Sequence, residues 1–94
     1  MHIIDVARKE IRLSSAHEQQ IIADVLDGQS EQYRLLVERY HKGLICHLGN
    51  MLQDQAQAED IAQEAFIQAY TKLHQYDAKY AFSTWLYKIA NNLA

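Results

Sequence analysis

The sequence predicts an all-α fold, a compact bundle of about four helices, and three observations lead there. There is no proline, and there are only three glycines in 94 residues, Gly28, Gly43 and Gly49. The turn punctuation of an all-β or alternating α/β chain is therefore scarce. Apolar residues recur at intervals of three and four, the period of helices that bury one face. A chain of this length builds one small core and has no room for a second.

Residues 1–15, "MHIIDVARKEIRLSS", have only weak periodicity, and a loosely ordered N-terminal arm is expected there. The helical domain is expected over 16–94. Its first helix runs from about Ala16 to Leu26, with Ile21, Ile22, Val25 and Leu26 as its apolar set. "DGQS" follows as a turn, and Ser30 is the expected cap of a second helix from Glu31 to about Met51. Tyr33, Leu36, Val37, Tyr40, Leu44, Ile45 and Leu48 mark the buried side of that helix, and Gly43 is a place where it bends or loosens.

Asp54 followed by Gln57 resembles a capping box, so a third helix begins there and continues to about His74. "QYDAKYA", from Gln75 to Ala81, has no helical repeat and reads as a loop. Ser83 or Thr84 is the expected cap of a fourth helix that runs to the end of the chain without Gly, Pro or a basic last turn.

Composition and charge exclude several function classes. Cys46 is the only cysteine, so an internal disulfide is excluded. No apolar run reaches membrane-spanning length and no signal peptide is evident, so a cytoplasmic chain without membrane insertion is expected. A formal net charge of -3 argues against strong general binding of nucleic acid, which depends on Lys and Arg neutralising phosphates. The charge is uneven, however. Asp54, Glu59, Asp60 and Glu64 precede Tyr70 with no basic residue among them, whereas Lys72, Lys79 and Lys88 follow with Asp77 alone against them. Two surfaces of opposite sign suit two different partners.

A turn of about 100° per residue along the third helix puts Ala62, Ala65, Phe66, Ala69 and Leu73 on the core side. Asp60, Gln63, Glu64 and Ile67 gather opposite. An apolar residue framed by polar ones is the pattern of a helix-helix interface, but an ordinary wet face with one exposed isoleucine has the same spacing. Asp60 and Glu64 have no histidine in their stripe, and like carboxylates four apart are usually only solvated.

On the fourth helix the same projection turns Leu86, Ile89, Ala90 and Leu93 inward and Thr84, Tyr87, Lys88 and Asn91 outward, with Trp85 and Asn92 at the border. Lys neutralises phosphate, Asn bonds base edges and aromatic rings stack on unpaired bases. With Tyr76, Lys79, Tyr80 and Phe82 nearby, these are the ingredients of a single-strand site, although Phe82 and Trp85 serve equally as core anchors. A metal site at His41, Cys46 and His47 is disfavoured, because the two histidines lie about 240° apart around a helix.

Two stretches, "AEDIAQEAFIQAYTKL" (58–73) and "FSTWLYKIANNLA" (82–94), together resemble region two of the sigma-70 family in its extracytoplasmic-function (ECF) branch. "DGQSEQYRLLVERYHKGLICHLGNML" is similar to the helix pair that opens that domain, and the resemblance covers about residues 18–94. It implies a helical bundle that docks on the clamp coiled coil of the largest catalytic subunit of core RNA polymerase and opens the promoter minus-ten element. The family's docking pattern D-x-x-Q-E matches Asp60, Gln63 and Glu64, and Ile67 adds the apolar contact. For promoter DNA, mainly its non-template single strand, the resemblance points to Tyr80, Phe82, Ser83, Thr84, Trp85, Lys88, Asn91 and Asn92.

An anti-sigma factor is a further partner the family implies. No cofactor, metal or covalent chemistry is implied, so no enzyme is expected. ECF factors continue this last helix into an Arg-rich turn and a second DNA-binding domain, so the expectation is a fragment cut inside its DNA-reading helix. The main rival is a helical protein-interaction module, an adaptor or a domain held by an anti-sigma factor, whose aromatic residues are all core.

Overall fold

The alternation of apolar and polar residues is resolved, in a computed structural model, into helices that share one core. The structure describes residues 16–94, and the arm expected over 1–15 lies outside them. Among the described residues there are four α-helices and two short 3-10 turns, with no strand. They are α1 (16–26), a 3-10 turn Ser30–Gln32, α2 (Tyr33–Leu52), α3 (Gln55–Thr71), a 3-10 turn Leu73–Gln75, and α4 (Phe82–Leu93). The all-α bundle of about four helices is the fold that the sequence predicts.

Glycine chemistry ends α1. Gly28 has φ +105, its N–H donates to the Val25 carbonyl and the Gln29 N–H reaches back to the Asp24 carbonyl. These two bonds form a Schellman motif, which needs a left-handed residue that glycine supplies without steric cost. The start of α2 differs from expectation. Ser30 opens the 3-10 turn, the cap position is Gln32, and no side chain bonds to the helix end. The cap of α3 is as expected, since Asp54 is extended and its carboxylate accepts the Gln57 N–H at 3.1 Å. Neither Ser83 nor Thr84 caps α4. The helix begins earlier, after Ala81, with no side-chain cap, because Phe82 is drawn into the core as its first residue.

The core joins Ile21, Ile22 and Val25 of α1 to Leu36, Leu44 and Leu48 of α2, and these to the inner faces of α3 and α4. Ala58, Ala62, Ala65 and Ala69 of α3 have no accessible surface, and such small side chains let neighbouring helices approach closely. Leu26, expected with the apolar set of α1, is exposed instead.

One buried carboxylate ties α1 to α2. Glu18 accepts a hydrogen bond from Arg39 Nη1 at 3.1 Å and a short one from the Tyr40 hydroxyl. A carboxylate inside a small core is tolerated when its oxygens are bonded in this way. Gly43 is a seat for a neighbour: a methyl group there would lie 3.1 Å from the Tyr87 hydroxyl oxygen of α4. Tyr87, expected to point outward, is half-buried against the core for that reason.

Candidate interfaces on α3 and α4

The outer face of α3 follows from its inner one. With Ala62, Ala65, Phe66 and Ala69 buried, Asp60, Gln63, Glu64 and Ile67 are left exposed, Ile67 by 54%. Beside this stripe runs a cleft between α2 and α3, lined by Val37, His41, Gln63, Phe66, Ile67 and Tyr70. Ile67 thus continues an apolar surface and is not an isolated exposed residue. The cleft was not legible in the sequence, because Tyr33, Val37 and His41 of α2 supply one of its walls.

Tyr33 holds the two helices together at this cleft. Its hydroxyl donates to the Phe66 carbonyl at 2.6 Å, and its ring packs against Tyr70 with centroids 5.0 Å apart. Burial pushes the titration of the Tyr33 hydroxyl upward, since the phenolate is disfavoured away from water. The group therefore stays a donor.

The second site is a pocket between the loop and α4, lined by Gln75, Asp77, Tyr80, Thr84, Trp85 and Lys88. Four of the residues expected at DNA, Tyr80, Thr84, Trp85 and Lys88, come together here. Tyr80 is 62% exposed, while Trp85 is half-buried. The loop is shaped by Asp77, whose carboxylate accepts the Lys79 N–H at 2.9 Å and whose carbonyl accepts the Tyr80 N–H at 3.1 Å. Such self-bonding is how Asx turns form without glycine or proline.

The remaining expected residues lie elsewhere. Phe82 is fully buried, packed against Tyr40, Tyr76 and Trp85. Its ring therefore lies inside the core, against the Trp85 wall of the pocket. Ser83 lines a separate depression with Tyr40, Thr84 and Tyr87. Asn91 Oδ1 accepts a hydrogen bond from His47 Nε2 at 2.8 Å, and Asn91 and Asn92 are both exposed outside the pocket lining. Gln75 and Asp77 were missed because their relevance depends on how the loop folds back.

The three residues weighed for a metal engage different neighbours. His41 stacks on Phe66, His47 is bonded to Asn91 and packs on Tyr87, and Cys46 is exposed. Among the described residues no cluster of three or more metal-ligating side chains occurs, and no helix is long and apolar enough to cross a membrane.

A sequence profile of the family described as Sigma-70 region 2 matches residues 36–94, which contain most of α2 and all of α3 and α4. The chain belongs to the Sigma-70 region 2 family. Three relatives are similar to this region 2 chain across most of its length. The RNA polymerase sigma-H factor of Pseudomonas aeruginosa is 38% identical over 82 residues, 87% of this chain and 42% of the relative. The ECF RNA polymerase sigma factor SigW of Bacillus subtilis is 42% identical over 72 residues, 77% of this chain and 38% of the relative. The ECF RNA polymerase sigma-E factor of Escherichia coli is 38% identical over 78 residues, 82% and 40% respectively. The region 2 chain thus spans about two fifths of the length of the curated relatives it matches. Both the α3 stripe and the α4 pocket lie within the residues the profile matches.

Proposed function

We propose that this domain is the part of an ECF sigma factor that docks on the clamp coiled coil of core RNA polymerase and opens the promoter minus-ten element. The observation that carries the reading is the presence of two separate surfaces of different chemistry on one small bundle. The α3 stripe supplies two carboxylates and an amide around Ile67, beside an apolar cleft. That combination suits a basic amphipathic helix of a partner.

The pocket between the loop and α4 supplies aromatic walls at Tyr80 and Trp85 and a cation at Lys88. It suits an unstacked base whose neighbouring phosphate meets the lysine. A protein that holds an extruded base favours DNA already leaving the stack, so binding free energy is converted into strand opening. The domain acts by binding alone, in the bacterial cytoplasm, and an anti-sigma factor would compete for the same surfaces. With a net charge of -3, its own affinity for DNA is weak, and docking on the polymerase supplies the local concentration it lacks.

The test is binding to an isolated clamp coiled coil of bacterial RNA polymerase, compared with a variant in which Asp60, Gln63 and Glu64 are all changed to Ala. Binding that this variant loses, with helicity unchanged by circular dichroism, is the expected result. Equal binding by both proteins, or none by either at high micromolar concentration, overturns the docking assignment. Retained function after Lys88→Ala and Asn91→Ala, with loss after Ile67→Ala, would leave a protein-interaction module in its place.

A further inference from the structure

The loop over residues 76–81, "YDAKYA", contains neither glycine nor proline, so beyond the turn at Asp77 its local sequence presets little of its path. We infer that Tyr76 is a positioning residue that holds this loop in its base-receiving shape, and that Gln19 of α1 sets the Tyr76 hydroxyl. This inference rests on the reading of the pocket as a base site.

The Tyr76 hydroxyl donates to the carbonyl of Tyr80, the residue that forms the open wall of the pocket. A phenol has one proton. With that proton given to Tyr80, the oxygen is left as an acceptor, and Gln19 Nε2 donates to it from 3.0 Å. The relay therefore has one consistent direction, from Gln19 through Tyr76 to Tyr80, and it fixes which way the Gln19 amide faces.

The ring beneath the hydroxyl is held as well. It meets Phe82 edge-on with centroids 5.8 Å apart and lies 5.4 Å from Trp85. Phe82 in turn packs on Tyr40, whose hydroxyl is bonded to Glu18. Two adjacent residues of α1, Glu18 and Gln19, thus steady the floor and the wall of a pocket to which they contribute no surface. A loop ordered in advance does not have to be ordered when a base enters, and affinity rises by the cost avoided.

The decisive variant is Tyr76→Phe, which keeps the ring and removes the relay. In the free protein, amide hydrogen exchange over residues 77–81 should accelerate, while exchange in α3 stays as in wild type. Acrylamide should also quench Trp85, the single tryptophan, more efficiently. Affinity for a fluorescein-labelled, mixed-sequence single-stranded DNA at low salt should fall about fivefold, the size of one neutral hydrogen bond. Gln19→Ala should reproduce part of each change and add little to Tyr76→Phe in the double variant.

Unchanged exchange in the loop overturns the positioning role. Faster exchange with undiminished DNA affinity overturns its service to the base site. If wild type itself does not bind the DNA, the base-site reading falls, while the exchange data still decide whether Tyr76 holds the loop.

Discussion

The outer stripe of α3 and the pocket before α4 are built in opposite ways. Asp60, Gln63, Glu64 and Ile67 face outward because the alanines between them face inward, so one helical period creates the whole surface. The pocket depends on Gln19 and Glu18 from α1, Tyr40 from α2 and a loop closed on itself by Asp77 and Tyr76. A surface set by local period can change its side chains without disturbing the fold. A surface whose walls lean on residues of α1, α2 and the loop cannot, because those supports also hold the fold.

Substitutions should separate the two regions in order of size. Phe82→Ala removes a fully buried ring at the base of the pocket and should cost about 3–5 kcal/mol in urea unfolding. That is much of the stability of a domain this small, so pocket and bundle fail together. Glu18→Ala leaves the Tyr40 hydroxyl without its buried acceptor and should cost about 2 kcal/mol. A double-mutant cycle with Tyr40→Phe would show a smaller loss than the sum of the two if the pair acts as a unit.

Alkali should expose the same network by titration. Burial raises the Tyr33 hydroxyl, and burial followed by the hydrogen bond to Glu18 raises Tyr40, both above the ordinary tyrosine value of 10.0. As the pH rises past that value, the unfolded chain releases these protons while the folded one keeps them. This part of the stability is therefore complete below about pH 10 and declines above it. Melting curves for Tyr33→Phe and Tyr40→Phe should decline less steeply with alkali than those of wild type.

The smallest effect belongs to the triple alanine variant of Asp60, Gln63 and Glu64. It should change the unfolding free energy by less than about 0.5 kcal/mol per site, as exposed substitutions generally do. A large loss there would mean that the stripe also supports the fold, and the contrast between the regions would collapse.

The difference in construction explains what the sequence disclosed. The four helices, the Asp54 cap and the α3 stripe were legible because each depends on residues three or four apart. The start of α4 was misplaced because Ser83 and Thr84 carry the usual capping hydroxyls, whereas burial of Phe82 sets the boundary. Tyr87 was turned outward by the helical projection, which contains no knowledge that α2 offers Gly43 as a seat. Tyr76 was noted only as one aromatic residue among several. Its bonds reach back 57 residues to Gln19 and forward to a main-chain carbonyl, and neither leaves a periodic trace.

The hydrogen bond from Tyr33 to the Phe66 carbonyl also sets the angular phase of α3. A face made of Ala58, Ala62, Ala65 and Ala69 is smooth, with little shape to stop the helix from rolling about its own axis. A roll of one residue, about 100°, would carry Ile67 inward and bring a buried alanine to the surface. The Phe66 ring and the Tyr33 hydroxyl act as a key on that smooth cylinder. A tyrosine on another helix thus reinforces the outward direction that the helical period gives Asp60, Gln63 and Glu64. Variation among related chains at positions 33 and 66 would steer the aim of the stripe without altering any residue in it.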